Sequence, residues 1–377
     1  MKYYIIAGEA SGDLHGSNLM KGLYKKDPSA DIRFWGGSLM NGVYRENQSG
    51  EGLVRDYKDG AVMGFTEVLA KARQLLGNVN MCKEDILRWS PDVVILIDYP
   101  GFNFKIAEFA HNKGFKVFYY IAPKVWASRE GRIEKIRKFV DKLFIVFPFE
   151  IPYFEKKGID FIYKGNPLID AIDDTEDTDG LPQEPYIALL AGSRKPEIGT
   201  MMPVFVEFAD RLRATPGYGN MKFVLAGAPS RSIEDYSSYI GNRKDYIKVI
   251  FGKTHSILKH SQAAVINSGT ASLEAALIGT PQVVGYAGSE MTFMIAKQII
   301  KVTYISLGNL ILGKHAFREL LQYYFTPENV LTEIRRILED KEYRDGMIAD
   351  YAEIKTRLGG SGASEAVAGA MIEELSR

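Results

Sequence analysis

Short apolar runs that end in Gly, Pro or Asp recur along this chain, and they constrain its fold more than any other feature. Each run is rich in Val, Ile, Phe and Tyr, the composition of strands buried on both faces of a parallel sheet. Helix-length stretches such as 133–139 and 201–213 separate the runs, which predicts βαβ units. The predicted strands are 3–7, 32–35, 93–97, 117–121, 143–147, 161–163, 186–190, 223–226, 248–251, 263–266 and 282–286.

The runs fall into two series, and a length of 377 residues also suits two domains better than one core. Between the series, segment 171–185 has six acidic residues, no basic ones and two prolines, which is typical of a linker. We therefore predict an α/β fold of two doubly wound Rossmann-like domains, 1–170 and 186–349, that face each other across a cleft. The C-terminal helices in 350–377 are expected to pack on the N-terminal domain or on a partner subunit.

Charge and cysteine content narrow the classes of function. Lys plus Arg and Asp plus Glu both number 47, and a neutral chain is a poor nucleic-acid binder. The balance is a cancellation, because residues 1–172 carry 25 basic and 21 acidic residues and the remainder carry 22 and 26. Cys82 is the one cysteine, which predicts a reducing compartment. No apolar run reaches the length of a membrane span, so membrane contact should be peripheral.

The strand ends matter most, since ligands of open parallel sheets bind beyond the carboxyl ends of the strands. The first strand is followed by a glycine-rich stretch from Gly8 to Gly16 whose spacing is not GxGxxG, which disfavours a nicotinamide or flavin cofactor. A tight turn with Ser11 or Asp13 capping the helix would explain the glycines. Glu9 has little structural reason to stand there.

Asp98 directly follows the aliphatic strand 93–97. Partial burial at a strand end would raise its pKa toward the range of a general base. The alternative is an ordinary turn or cap aspartate before Pro100.

Two strand ends of the second half suit phosphate groups. Gly192, Ser193 and Arg194 follow strand 186–190 and precede a helix predicted to begin near Thr200. Small residues, a guanidinium and a helix N-terminus together favour a pyrophosphate.

The second of these ends is Ser268, Gly269 and Thr270 after strand 263–266, with Glu274 about one turn into the next helix. The small hydroxyl residues would form a second anion site, and Glu274 could accept the hydroxyls of a ribose. A capping box is the structural alternative.

Ten sequence blocks in this order carry a family resemblance: 7–13, 61–64, 91–93, 97–103, 125–127, 147–150, 192–194, 268–271, 284–286 and 304–310. The chain resembles the lipid-A-disaccharide synthases, which are inverting glycosyltransferases of the two-Rossmann-domain GT-B fold. The resemblance implies that UDP-2,3-diacylglucosamine and 2,3-diacylglucosamine 1-phosphate react to a β-1,6-linked tetraacyl disaccharide 1-phosphate and UDP, without a cofactor or metal.

The resemblance also distributes the roles. It implies Glu9 and Asp98 as catalytic groups on the acceptor side, in an acceptor and membrane-side domain 1–170. It places Arg194 and Asn309 on the nucleotide side, in a UDP-binding domain 186–349. Asp98 is expected to deprotonate the acceptor, and Arg194 with the amides near Ser193 and Ser268 to stabilise the diphosphate. A cytoplasmic homodimer, peripheral on the inner membrane, is implied as well.

A stripe of apolar residues at helical spacing is the candidate surface for the membrane and the acyl chains. It consists of Phe65, Val68, Leu69, Leu75 and Leu76. Such a stripe is more often core, and the lipid substrates of the family are what favour interfacial docking. Seven basic and three acidic residues in 124–142 would add attraction to anionic lipid, unless they form a solvated helix face.

Two alternatives stay open. One is another UDP-N-acetylglucosamine-dependent GT-B transferase or epimerase of the cell envelope. The other is a non-catalytic protein that binds a nucleotide sugar or a membrane, and the presence of a candidate base argues against it.

Overall fold

The computed structural model describes residues 1–60, 67–127, 129–172, 177–288 and 303–377, with residues 60 and 67–73 described by their backbone. The described chain divides into two compact units. The first domain is Met1–Ala171 together with Leu358–Arg377, and the second domain is Ile172–Arg357. Residues 172 and 177–185 of the acidic segment thus belong to the second domain.

The described residues of the first domain form a seven-stranded parallel sheet in the order β3-β2-β1-β4-β5-β6-β7. Its strands are β1 Lys2–Ala7, β2 Asp31–Gly36, β3 Leu53–Asp56, β4 Val93–Ile97, β5 Lys116–Tyr120, β6 Lys142–Ile145 and β7 Phe161–Tyr163. Its helices are α1 Ala10–Lys26, α2 Ser38–Asn47, α3 Glu67–Trp89, α4 Pro100–Asn112, α5 Ile133–Phe139, α6 Glu150–Lys156, α7 Leu168–Ala171 and, at the chain end, α15 Ala363–Leu375.

Side chains of successive strand residues pack on opposite faces of this sheet, and each face has its own hydrophobic core. Tyr3 and Ile5 of β1 join one cluster, with residues of α1, α2 and α15. Tyr4 and Ile6 point to the other face and join a cluster with residues of α3, α4 and α5. Successive strand residues face opposite sides, so a strand covered on both faces has to be apolar throughout.

The described part of the second domain has six parallel strands in the order β10-β9-β8-β11-β12-β13. They are β8 Tyr186–Leu190, β9 Lys222–Gly227, β10 Ile247–Phe251, β11 Ala263–Asn267, β12 Gln282–Tyr286 and β13 Glu319–Leu321. The helices are α8 Lys195–Ala214, α9 Glu234–Ile240, α10 Thr254–His260, α11 Thr270–Ile278, α12 Leu307–Leu312, α13 Pro327–Glu339 and α14 Lys341–Leu358.

The chain returns to the first domain through α15, which packs along α1. Gly22 of α1 makes the close approach possible, because a Cβ there would lie 3.0 Å from Cα of Glu365. The Asp170 carboxylate accepts the backbone N–H groups of Gly362 at 2.6 Å and Ser364 at 2.7 Å, where α15 begins. These bonds satisfy amides that a helix start leaves without partners.

The prediction of two doubly wound α/β domains is confirmed, and every predicted run contains a strand. Strands β3 and β13 were not predicted. The helix expected near Thr200 begins at Lys195 instead, because Pro196 stands in its first turn, where proline favours a helix start. No described helix combines the length and the apolarity needed to cross a bilayer.

Candidate active site

Each sheet has one point where the strand order reverses, and open α/β sheets bind ligands there. In the first domain this point lies between the paired strands β1 and β4, which lead into Glu9 and Asp98. In the second domain it lies between β8 and β11, which lead into residues 192–194 and 268–270. Within each domain, the fold therefore brings the predicted residues to the same edge of the sheet.

The turn after β4 is strained. Asp98 and Tyr99 have φ of 42° and 43°, in the left-handed region that non-glycine residues rarely occupy. The Asp98 carbonyl oxygen accepts hydrogen bonds from Asn103 Nδ2 at 2.8 Å and from the Tyr119 hydroxyl at 2.6 Å. Backbone strain of this kind persists only where the surroundings hold it, and it clusters at functional sites.

The carboxyl group of Asp98 is electrostatically unusual. Burial raises its pKa, and the negative charge of Glu9 raises it further, whereas the charges of Lys124 and Arg132 lower it. The net shift is upward, toward the range of a general base. Glu9 is exposed at the position before α1, and it lies close enough for its charge to act on Asp98.

Asp13 does not cap its own helix, as the sequence suggested, but the next one. It lies inside α1 and is buried, and its carboxylate accepts the backbone N–H groups of Gly37 at 2.7 Å and of Leu39 and Met40 at 3.1 Å. These residues begin α2. Gly16 of the glycine-rich stretch also lets α2 approach α1, because a Cβ there would lie 2.6 Å from Met40 Sδ.

The loop after β8 is closed by Glu197. Its Oε2 accepts the backbone N–H groups of Ser193 at 3.0 Å and Arg194 at 3.1 Å, and Oε1 lies 2.9 Å from the Arg194 guanidinium. Gly192 has a φ of 90°, and a Cβ there would lie 2.5 Å from Asn267 Nδ2 and closer still to Glu197. The Arg194 side chain is 67% exposed. The loop therefore presents a guanidinium from a tightly constrained backbone.

Two backbone amides at the predicted diphosphate site have partners within the protein. The Ser268 N–H donates to the Gly285 carbonyl at 2.9 Å, and Ser193 N–H is bound to Glu197. These two amides therefore already have acceptors, and the expectation that amides near Ser193 and Ser268 stabilise a diphosphate stays a prediction. Helix α11 begins at Thr270, so the amides of Thr270 and Ala271 lack acceptors within the helix and suit an anion.

Two predicted nucleotide-side residues have protein partners. Glu274 Oε2 lies 3.5 Å from His255 Nε2 on α10. Asn309 is fully buried: its Nδ2 donates to the Phe317 carbonyl at 3.1 Å and to Glu319 at 2.8 Å, and its Oδ1 accepts Ala316 N–H at 2.8 Å. The side chain of Asn309 thus holds the loop between α12 and β13, and these contacts differ from the nucleotide contact expected for it.

Comparison with known proteins decides the family. The chain matches the lipid-A-disaccharide synthetase family over residues 3–367. The lipid-A-disaccharide synthases of Geobacter metallireducens and Syntrophus aciditrophicus are each 37% identical to it, over 99% and 97% of this chain and 97% and 95% of theirs. The chain belongs to the lipid-A-disaccharide synthase family. The predicted resemblance is confirmed.

Solved structures support the fold of this lipid-A-disaccharide synthase family member. The S. aureus MnaA-UDP co-structure has a TM-score of 0.69 at 14% identity, over 100% of this chain and 97% of that one. The Methanocaldococcus jannaschii UDP-GlcNAc 2-epimerase, in complex with UDP-GlcNAc and UDP, has 0.65 at 14%, over 99% and 100%. At such identities the likeness shows the fold alone, which is the predicted Rossmann-like GT-B type.

Glu150 of this family member is a buried carboxylate for which the sequence predicted no role. Its Oε2 accepts the N–H groups of Val146 at 3.1 Å and Phe147 at 3.0 Å, and its Oε1 accepts the Trp126 indole N–H at 3.1 Å. Burial raises the pKa of Glu150 to about 7, although these hydrogen bonds and the charge of Lys124 lower it. The sequence signals were its place three residues after the apolar run 143–147 and within the family block 147–150.

The candidate membrane stripe of this synthase family member is described only in part. Phe65 lies outside the described residues, and Val68 and Leu69 fall in the part of α3 described by its backbone. Leu75 packs partly buried against the first-domain core, whereas Leu76 is 54% exposed. The described residues contain no group of three His, Cys, Asp or Glu side chains that could hold a metal ion.

Proposed function

We propose that this protein joins UDP-2,3-diacylglucosamine to 2,3-diacylglucosamine 1-phosphate, forming the β-1,6-linked tetraacyl disaccharide 1-phosphate and UDP. The observation that carries the proposal is Asp98. In a chain that matches the family over residues 3–367, it stands at the switch point of the first sheet with a raised pKa. A general base at such a position suits deprotonation of an acceptor hydroxyl.

Asp98 takes the proton of the acceptor 6-hydroxyl as that oxygen attacks the anomeric carbon. The new C–O bond forms on the face opposite UDP while the bond to the diphosphate breaks, so the configuration at the anomeric carbon inverts. Glu9, close by, raises the pKa of Asp98 and so favours proton uptake.

The second domain supplies the groups for the nucleotide. Arg194, held by Glu197, and the first-turn amides of α11 neutralise the negative charge that develops on the leaving diphosphate. Gly269 leaves space for phosphate oxygens close to the backbone, because a Cβ there would meet only the Asn267 carbonyl oxygen, at 3.9 Å. Glu274 accepts the ribose hydroxyls, and Asn309 acts on the nucleotide site through the loop that it holds. Turnover is expected to persist in a chelator because these groups carry the charge.

The test is mass spectrometry of the products formed from both acylated substrates, with wild type and Asp98→Asn. Loss of a general base is expected to lower turnover about 10²- to 10⁴-fold, while UDP affinity by calorimetry changes little. Near-normal turnover by the variant would remove Asp98 from the base role. Absence of the disaccharide with wild type would remove the proposed reaction.

A UDP-N-acetylglucosamine epimerase is the second candidate, because proteins of that name share the fold. Incubation of the protein with UDP-N-acetylglucosamine alone separates the two. An epimerase would change the configuration at C2 without an acceptor, and the proposed transferase leaves the unacylated donor unchanged.

Lipid substrates also lead us to propose a peripheral position on the cytoplasmic face of the inner membrane, reached through the stripe that includes Phe65 and Leu69. The double change to Ser at these positions should weaken cosedimentation with anionic vesicles. Leu87→Ser is the matched control, because Leu87 is a 48% exposed leucine at the other end of α3. Equal binding by both variants contradicts the assignment.

We also propose that the protein forms a homodimer. Light scattering of wild type tests this through the molar mass.

A further inference from the structure

Three cationic side chains, Lys124, Arg129 and Arg132, lie in the segment between β5 and α5; we refer to them as the cationic cluster. The backbone N–H of Asp98 donates to the carbonyl of Tyr120, the last residue of β5, at 3.2 Å. The cluster therefore begins four residues after a direct contact with the Asp98 turn.

Side-chain contacts connect Arg132 with the same turn. The Arg132 guanidinium lies 5.8 Å from the centre of the Phe104 ring, and that ring packs 5.6 Å from the ring of Tyr119. The Tyr119 hydroxyl donates to the Asp98 carbonyl oxygen at 2.6 Å. Lys124 and Arg132 also lie close enough for their charges to act on the Asp98 carboxyl group.

The two glutamates closest to the cluster in the sequence pair with cations outside it. Glu130 pairs with Lys157 at 2.5 Å, and Glu134 pairs with Arg137. Across the described ranges, no carboxylate lies within ion-pair distance of a cluster side chain. Burial and the neighbouring charge of Arg129 lower the pKa of Arg132, so the two guanidinium groups oppose each other. An anion between the half-buried Arg132 and the exposed Arg129 would relieve this repulsion.

We propose that the cationic cluster binds the phosphate monoester of the acceptor sugar, and this inference rests on the proposed function. A phosphate monoester carries about 1.5 to 2 negative charges at pH 7, and guanidinium groups bind its oxygens in pairs. In 2,3-diacylglucosamine 1-phosphate, one sugar ring separates the phosphate from the 6-hydroxyl. A phosphate on the cluster therefore leaves the hydroxyl to reach Asp98, the base beside the cluster.

The test compares kcat/KM for two acceptors, 2,3-diacylglucosamine 1-phosphate and the same lipid without its phosphate, in a zwitterionic detergent. Arg132→Gln and Arg129→Gln should each lower kcat/KM for the phosphorylated acceptor about 10- to 100-fold, the range for lost charge-assisted bonds. For the phosphate-free acceptor, kcat/KM should fall less than about threefold in the same variants. Lys135→Gln, an exposed cation on α5, is the matched control and should behave as wild type.

Equal losses on both acceptors, or none beyond the Lys135→Gln control, would overturn the proposal. If wild type turns over only the phosphorylated acceptor, kcat/KM of the Arg129→Gln and Arg132→Gln variants is compared with that of Lys135→Gln alone. Values within about twofold of this control also overturn the proposal. Cosedimentation with phosphatidylglycerol vesicles tests whether the cluster binds the phosphate of phospholipid headgroups instead. A cluster variant that loses vesicle binding but keeps the wild-type ratio of kcat/KM for the two acceptors contradicts the proposal. Absence of any disaccharide from wild type would instead refute the proposed function.

Discussion

Asp98 and Asp13 show how the surroundings of one residue type decide its use. Asp13 is buried, and three backbone N–H groups compensate its charge at the start of α2. At Asp98 burial outweighs the favourable interactions, and its pKa rises. The first aspartate is suited to holding structure and the second to taking a proton.

The two aspartates should therefore respond oppositely to Asn. A folded-state pKa above the unfolded value means that ionised Asp98 destabilises the fold at neutral pH, and Asn also tolerates a positive φ. Asp98→Asn should keep or raise the free energy of unfolding, whereas Asp13→Asn should lower it by about 1 to 3 kcal/mol because its amide cannot satisfy three donors. Urea unfolding followed by tryptophan fluorescence measures this, since Trp35, Trp89 and Trp126 all lie in the first domain. A less stable Asp98→Asn would contradict it.

Glu150 makes a prediction about pH. Its pKa rises from 4.5 to about 7 through burial, so the folded state binds its proton more tightly than the unfolded state. This stabilising contribution is complete below about pH 4.5 and is lost as the pH rises through about 7, amounting to roughly 3 kcal/mol. The stability of Glu150→Gln relative to wild type should therefore increase between pH 5 and pH 7.5. A constant difference over that range would show that Glu150 titrates normally.

At the scale of elements, the loop after β8 depends on a backbone that only glycine adopts easily. Gly192→Ala should lower UDP affinity, because its Cβ would push Glu197 away and displace Arg194. Gly217→Ala is the matched control, with a φ of 91° and nothing within 4 Å of the added Cβ. Both variants carry the backbone strain of roughly 1 kcal/mol, and only the first should bind UDP more weakly by calorimetry. Similar affinities for the two variants would exclude this role of the loop.

Elements buried on both faces were predictable from the sequence, and edge elements were not. Strand β4 is one aliphatic run with no exposed residue, and such a run indicates a strand that is buried on both faces. Strand β3, Leu53–Asp56, is half-buried and contains Arg55 and Asp56, and β13 has three residues. Neither carries a pattern long enough to separate a strand from a loop.

The candidate site follows the same division. Asp98 and Glu9 could be proposed as site residues because Asp98 directly follows one apolar run and Glu9 stands two residues after another, where the chain itself sets the position. The partners of Asp13, Asn309 and Ser268 could not be found, because they depend on residues brought together by folding. A sequence therefore shows which groups stand at a strand end. It does not show which of these groups already have hydrogen-bond partners within the protein.

At the scale of the whole molecule, the chain both begins and ends in the first domain, since α15 packs on α1. Lys25 and Lys26 of α1 add ion pairs to Glu365 of α15 at 2.6 and 3.1 Å. Exposed pairs of this kind contribute little, so close helix packing at Gly22 and the cap from Asp170 should carry most of the attachment.

Two glycine substitutions test whether this packing holds the chain end. Gly22 and Gly42 both lie inside helices, where Ala is favoured over Gly by about 0.5 to 1 kcal/mol. Gly42→Ala meets nothing within 4 Å and should stabilise the first domain by that amount. At Gly22 the added Cβ would lie 3.0 Å from Cα of Glu365 and Cβ of Ala368, which forces α15 away from α1. Gly22→Ala should therefore lower the urea midpoint seen by tryptophan fluorescence while Gly42→Ala raises it, and equal gains from both would show that α15 yields without cost.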